Sequence, residues 1–171
     1  FENQAIERNM DLSWISGETG EYNMPEIIGG GAAFIDYDND GDLDIYYIQG
    51  GYLGSQSAES NVLLRNDEGS FTDVSLQSGA MEFGYGMGVA AGDYDNDGFT
   101  DLYVTNVGKN SLLHNNGVGT FSFVTDEAGV GDEGWGASAA FVDVDADGDL
   151  DLYVTNYLMW KHGLKLDCFN A

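Results

Sequence analysis

Basic residues are scarce: Arg8, Arg65, Lys109, Lys161 and Lys165 stand against 30 acids, and the formal charge is -25. A chain so uniformly negative makes nucleic acid and anionic membrane poor partners. Cysteine is nearly absent. Cys168 stands alone, which argues against a disulfide scaffold but says little about compartment. Its place close to residue 171 implies a pairing partner further along. No apolar run approaches the ~20 residues of a membrane helix, and no basic stretch leading into an apolar one opens the chain, which reads as mature or trimmed. There is no N-x-S/T sequon, so ordinary N-glycosylation is not expected. Helical patterning is missing too: no window keeps an apolar i, i+3, i+4 stripe beyond two turns, and 25 glycines interrupt the chain. Hydrophobic residues nevertheless make up 43% of the 171 residues, enough for one domain with a packed core rather than a disordered segment.

What is abundant is aspartate in a fixed pattern. The nine-residue string D-x-D-x-D-G-x-x-D occurs at Asp36 to Asp44, Asp93 to Asp101 and Asp143 to Asp151. Fourteen of the 30 acids lie in these strings. Alternating carboxylates followed by a glycine that allows a sharp turn are what a hard, oxygen-seeking cation such as calcium requires. Side chains at positions 1, 3 and 5 converge, the carbonyl at 7 adds a donor and the carboxylate at 9 closes the shell. The expected ligands are Asp36, Asp38, Asp40 and Asp44 with the Asp42 carbonyl; Asp93, Asp95, Asp97 and Asp101 with the Phe99 carbonyl; and Asp143, Asp145, Asp147 and Asp151 with the Asp149 carbonyl. Three calcium ions would bring the formal charge to about -19 and relieve the densest repulsion. An EF-hand would need a glutamate at position 12, where this chain has Tyr47, Val104 and Val154. Thrombospondin-type calcium repeats would bring regular cysteines. Solvated turns do not demand four carboxylates at a fixed spacing.

The flanks repeat with the loops, at periods of 57 and 50 residues. GGGAAFI, GMGVAAG and GASAAFV precede them, and LDIYYIQG, TDLYVTNVG and LDLYVTNYL follow, rich in strand-forming residues. A third strand is expected in NVLLRND and NSLLHNN, and a fourth in SFTDVS and TFSFVTD, with turns at Asp67-Glu68-Gly69 and Asn116-Gly117. Four antiparallel strands per repeat is the content of one propeller blade. The expected fold is therefore all-β, a partial β-propeller across residues 1–171. Residues 1–28 read as an N-terminal strand segment, 29–79 and 84–130 as blades, and 134–171 as an incomplete blade. The opening FENQA reads as a fourth strand completing a blade from elsewhere.

FIDYDNDGDLD and FVDVDADGDLD, with GGGAA or WGASAA before and LYVTN after, resemble FG-GAP (VCBS-type) repeats, the calcium-bearing blades of integrin-α-like propellers. More narrowly, GETGEYNMPEIIGGGAAFIDYDNDGDLDIYYIQGG, NVLLRNDEGSFTDVS and LYVTNYLMW are similar to the N-terminal part of secreted ASPIC/UnbV-family proteins, relatives of cartilage acidic protein. The resemblance implies a secreted or periplasmic protein, calcium on the twelve aspartates named above, further blades, and Cys168 as half of a disulfide. It carries over no catalytic residue and no organic cofactor.

His114 and His162 read as turn-edge and tail histidines, and no Ser-His-Asp constellation is visible. Gly29-Gly30-Gly31 and Gly84 to Gly88 lack the helix and lysine of a phosphate loop and read as tight strand packing. Trp14, Tyr85, Trp135 and Trp160 could form a platform for sugar rings, with packing the favoured role. The expected function is a non-enzymatic, calcium-binding extracellular module for adhesion or recognition of a protein or glycan. Self-assembly into a ring or filament by blade completion, and membership of a polysaccharide-active enzyme, are the alternatives. Membrane insertion is not expected.

Overall fold

The computed structural model describes residues 2–53 and 59–158. Expectations for Phe1, Trp160, His162 and Cys168 lie outside the described residues. β1 (Gly31–Ile35), β2 (Asp44–Ile48), β3 (Val62–Asp67) and β4 (Ser70–Asp73) form one antiparallel sheet in chain order. β5 (Gly86–Gly92), β6 (Asp101–Asn106), β7 (Gly108–Asn115) and β8 (Phe121–Phe123) form a second sheet in the same order, and β9 (Gly136–Val142) pairs with β10 (Asp151–Asn156). The architecture is all-β, built of four-stranded antiparallel blades of propeller type.

The aspartate strings connect β1 to β2, β5 to β6 and β9 to β10, and the register closes directly on them: Ile35 faces Asp44, Gly92 faces Asp101 and Val142 faces Asp151. The β3–β4 hairpin turns through Glu68 and Gly69, both at positive φ (52° and 92°), which matches the twist of the strands it joins. Strand patterning follows position in the stack. β6 is buried at every residue because its sheet lies between the other two, whereas β10 alternates with no buried position. The main apolar core lies between the first two sheets, with Ile35, Tyr46, Ile48, Leu63, Leu102, Val104 and Leu113 at its centre.

Short helices were not expected, yet each complete blade ends in one. α1 (Met24–Ile27) precedes the first blade, and α2 (Ser75–Ser78) and α3 (Thr125–Ala128) follow β4 and β8 and end on Gly79 and Gly129 in the left-handed conformation. Residues read as the ends of fourth strands therefore turn away. Ser75 Oγ accepts from Leu63 N at 2.9 Å and Thr125 Oγ1 from Leu112 N at 2.8 Å, so one hydroxyl per blade replaces a ladder bond and starts the turn. The chain then passes to the next blade under a buried tyrosine. Tyr46 Oη donates to the Ala80 carbonyl at 2.9 Å, and Tyr103 Oη to the Val130 carbonyl at 2.6 Å.

A second clasp is acidic. Glu82, between the first two sheets, accepts from Asn61 Nδ2 at 3.0 Å through Oε2. Through Oε1 it accepts from Gly84 N at 3.0 Å, Asn106 Nδ2 at 3.1 Å and Ser111 Oγ at 3.2 Å. Asp132 repeats the arrangement, accepting from Gly134 N and Asn156 Nδ2. Tight packing at the glycine runs is also seen. A methyl group on Gly86 would collide with Ile48 and the Gln49 carbonyl, and Gly31 lies against the Gly88 backbone.

The N-terminal segment differs from expectation. Residues 2–23 contain no strand. Residues 5–9 form a hydrogen-bonded turn instead, whose Arg8 carbonyl accepts from Phe71 N at 3.0 Å, and the following stretch is tied to β2 through Gln49, which bonds Ile15 N and the Ser13 carbonyl.

Candidate metal centre

Each loop is held by its own carboxylates before any ion is considered. The position-1 aspartate accepts from the position-6 glycine: Gly41 N to Asp36 Oδ2 at 3.1 Å, Gly98 N to Asp93 Oδ2 at 2.9 Å and Gly148 N to Asp143 Oδ2 at 3.1 Å. Those glycines sit at φ of 95°, 92° and 96°, a region that carries strain for any side chain. The position-5 aspartate accepts from the next-but-one backbone N–H at 2.9 Å in all three loops. The position-9 aspartate reaches back to position 2, through Tyr37 N, Tyr94 N and Val144 N.

This geometry turns carboxylate oxygens toward one another. Oxygens of Asp36, Asp38 and Asp40 lie within 4.8 Å of each other, as do those of Asp93, Asp95 and Asp101 and those of Asp143, Asp145 and Asp151. Asp97 groups with Asp95 and His114. Asp147 holds its own turn, and Asp42 and Asp149 aim their carboxylates elsewhere: Asp42 Oδ2 accepts from Glu68 N and Asp149 Oδ1 from Asn96 Nδ2. For Asp42, Phe99 and Asp149 the expected donor is the backbone carbonyl rather than the side chain.

Asp44 and Asp101 differ from the rest. Both are fully buried, and each carboxylate also accepts from the third strand, Asn66 N at 2.8 Å and Asn115 N at 2.7 Å. Burial pushes each carboxyl up to about 6 against the opposing pull of these N–H donors. Asp44 is absent from the convergent group of its loop among the described residues, so its first task is to anchor the loop to β3. Burial, then the charges of Asp40 and Asp36, also raise Asp38 above the usual carboxylate range.

Two atoms test whether a cation fits. Asp38 Oδ1 and Asp143 Oδ1 are buried and have no hydrogen-bond partner. A buried carboxylate oxygen without a donor is costly unless something positive faces it. The donor set is all oxygen in the first and third loops, which suits a hard divalent ion. The second loop adds a residue that sequence reading passed over as a turn edge: His114 Nδ1 lies 3.2 Å from Asp101 Oδ1 and 3.4 Å from Asp95 Oδ2. Only the β6–β7 register, Leu102 facing Leu113, brings it there. The equivalent β3 residue, Arg65, pairs instead with Asp67 at 3.0 Å.

Of the residues read as a platform for sugar rings, those described offer little surface. Tyr85 and Trp135 are 6% and 1% exposed, and Trp14 is half-buried, packed against Gly29, Gly30 and Gly50.

No curated protein matches the chain. The FG-GAP-like repeat profile matches residues 36–104 and 94–154, each span opening inside one aspartate loop and running through the next. With loop, strand order and blade linker repeating together over that stretch, the chain belongs to the FG-GAP-like repeat family.

Proposed function

We propose that this chain is a calcium-binding propeller module of a secreted or periplasmic protein, which presents its loop surfaces for adhesion or for recognition of a protein or glycan. The observation that carries the reading is the recurrence of a carboxylate cluster at the same turn of three successive blades, with donorless oxygens on Asp38 and Asp143. Calcium fits better than magnesium because each loop offers more than the one or two protein carboxylates that magnesium usually takes. The ion's role is structural: it draws together acids that otherwise repel and so fixes the β1–β2, β5–β6 and β9–β10 turns. Similarity of the flanking strings to ASPIC/UnbV proteins supports placement outside the cytoplasm. Calorimetric titration of the chelator-treated protein with calcium tests the reading, with three ions bound and a melting temperature that rises on addition as the expected result. An unchanged melt and no heat of binding would overturn it.

A second reading, in which another repeat unit completes the stack, is favoured by one comparison. Tyr46 and Tyr103 are 0% exposed beneath the linker of the following blade, while their counterpart Tyr153 is 65% exposed. Among the described residues the outer face of β9–β10 has the form of a seat that a second copy could fill. Sedimentation with calcium present tests this: a concentration-dependent assembly supports it, and a monomer at all concentrations overturns it.

A further inference from the structure

Asn39 and Asn96 hold the fourth position of the first and second loops, between cluster aspartates, and both have left-handed backbones with φ of 56° and 61°. Each side chain reaches out of its own loop. Asn39 Nδ2 donates to the Gly98 carbonyl at 3.2 Å, and Asn96 Nδ2 donates to the Gly148 carbonyl at 3.3 Å and to Asp149 Oδ1 at 2.9 Å. The same contact is therefore made twice, from the first loop to the second and from the second to the third.

The peptide that is gripped matters. The Gly98 carbonyl shares its plane with the Phe99 N–H, which donates to Asp97 Oδ1 at 2.9 Å, and the Gly148 carbonyl shares its plane with the Asp149 N–H, which donates to Asp147 Oδ1 at 2.9 Å. Each asparagine thus holds the peptide that orients the position-5 carboxylate of the next loop and leads into its position-7 carbonyl.

We propose that Asn39 and Asn96 are positioning residues that couple neighbouring cation sites, so that filling one loop preorganises the next. The proposal rests on the calcium reading above. A cation drawing on Asp38 and Asp40 fixes the backbone of Asn39 between them, and with it the amide that steadies the second loop. In an empty loop that amide is held less firmly, and the neighbouring carbonyl orders only when its own ion arrives. Linkage makes the effect reciprocal. The third loop carries Ala146 at this position, also left-handed at φ 62°, and has no side-chain donor, so the relay ends there. Because the contacts are exposed, the coupling should change affinity by roughly two- to fivefold.

The test uses the full chain with the third loop disabled throughout by Asp145→Asn and Asp147→Asn, and reads calcium binding at the second loop by calorimetry. Disabling the first loop with Asp38→Asn and Asp40→Asn should weaken the second by the stated factor. In an Asn39→Gly background, which tolerates the positive φ but lacks the amide, the same change should leave the second loop unaffected; Asn39→Asp, of similar size but without the donor, should agree. A second loop indifferent to the first in the presence of Asn39 would overturn the relay while leaving calcium binding intact. So would coupling that survives both substitutions. A parent protein that binds no calcium would overturn the calcium reading, and the relay with it.

Discussion

Replacing Glu82 examines the seam between the first two sheets without touching the aspartate loops. Alanine there removes one acceptor from four donors, and two of them, on Asn61 and Asn106, belong to residues only 1% exposed, Asn106 Nδ2 keeping its other bond to the Lys109 carbonyl at 2.9 Å. Water can serve Gly84 and Ser111, which are half-buried, but at about 1–3 kcal/mol for each stranded donor the loss should reach about 3–5 kcal/mol. Glu82→Gln keeps the shape and reverses one polarity. Its amide would face Asn61 Nδ2 across the 3.0 Å now spanned by a hydrogen bond, and Asn61 resists flipping because its Oδ1 accepts from Gln49 N at 2.7 Å. A loss of about 1–2 kcal/mol near neutral pH follows.

The pH dependence sharpens the test. Burial raises the Glu82 carboxyl above its ordinary 4.5, so between those values the folded chain holds more protons than the unfolded one. The contribution of this group is full below 4.5 and is lost as pH rises through the folded value. Glutamine does not titrate. The parent protein's advantage over Glu82→Gln should therefore shrink as pH rises from 4.5 through the raised folded value. Urea unfolding at saturating calcium, followed by tryptophan fluorescence, reads both quantities. An alanine variant within about 1 kcal/mol of the parent, or a glutamine gap that widens with pH, would refute the reasoning.

Asp38→Asn should lose much of the calcium-dependent rise in melting temperature yet match or exceed the parent in chelator, because it removes a charge crowded by Asp40 and Asp36. Asp44→Asn should lose about 1–3 kcal/mol even in chelator, since its carboxylate accepts from both Tyr37 N and Asn66 N; equal behaviour of the two variants in a chelator melt would contradict the division into ligand and anchor. Tyr103→Phe should lose about 1–3 kcal/mol, because it removes the bond to the Val130 carbonyl and takes the acceptor from the buried Asn110 Nδ2, and Tyr153→Phe almost nothing, as denaturant midpoints will show. Gly86→Ala should be destabilising by about 1–3 kcal/mol through overpacking against Ile48, which the same midpoints measure.

Much of this molecule is legible in its sequence because the sequence period and the structural repeat coincide. The aspartate spacing marks the turns, and β-branched and aromatic runs beside it mark β2, β6 and β10. What stays hidden is either too short or too distant. Helices α2 and α3 span four residues each, fewer than any periodicity can reveal. Their local signal is a hydroxyl followed four residues later by a glycine, Ser75 with Gly79 and Thr125 with Gly129. The proximity of His114 to Asp95 and Asp101, and the reach of Asn39 and Asn96 into neighbouring loops, depend on register and on how sheets stack. Glu82 lies in a linker, and only folding brings Asn61, Asn106 and Ser111 around it. The opening residues resemble fourth strands in composition, but Arg8 meets β4 through a turn carbonyl rather than a ladder.

The residue that follows the paired leucines of the third strand is arginine in one blade and histidine in the other, while the asparagine after it stays fixed to the buried position-9 carboxylate through its N–H. On the calcium reading proposed above, scaffold and ligand set would be separated along a single strand. Exchanging one side chain per blade would then alter how firmly a turn holds its ion with the framework around it unchanged, so copies of one repeat would diverge into sites of unequal strength.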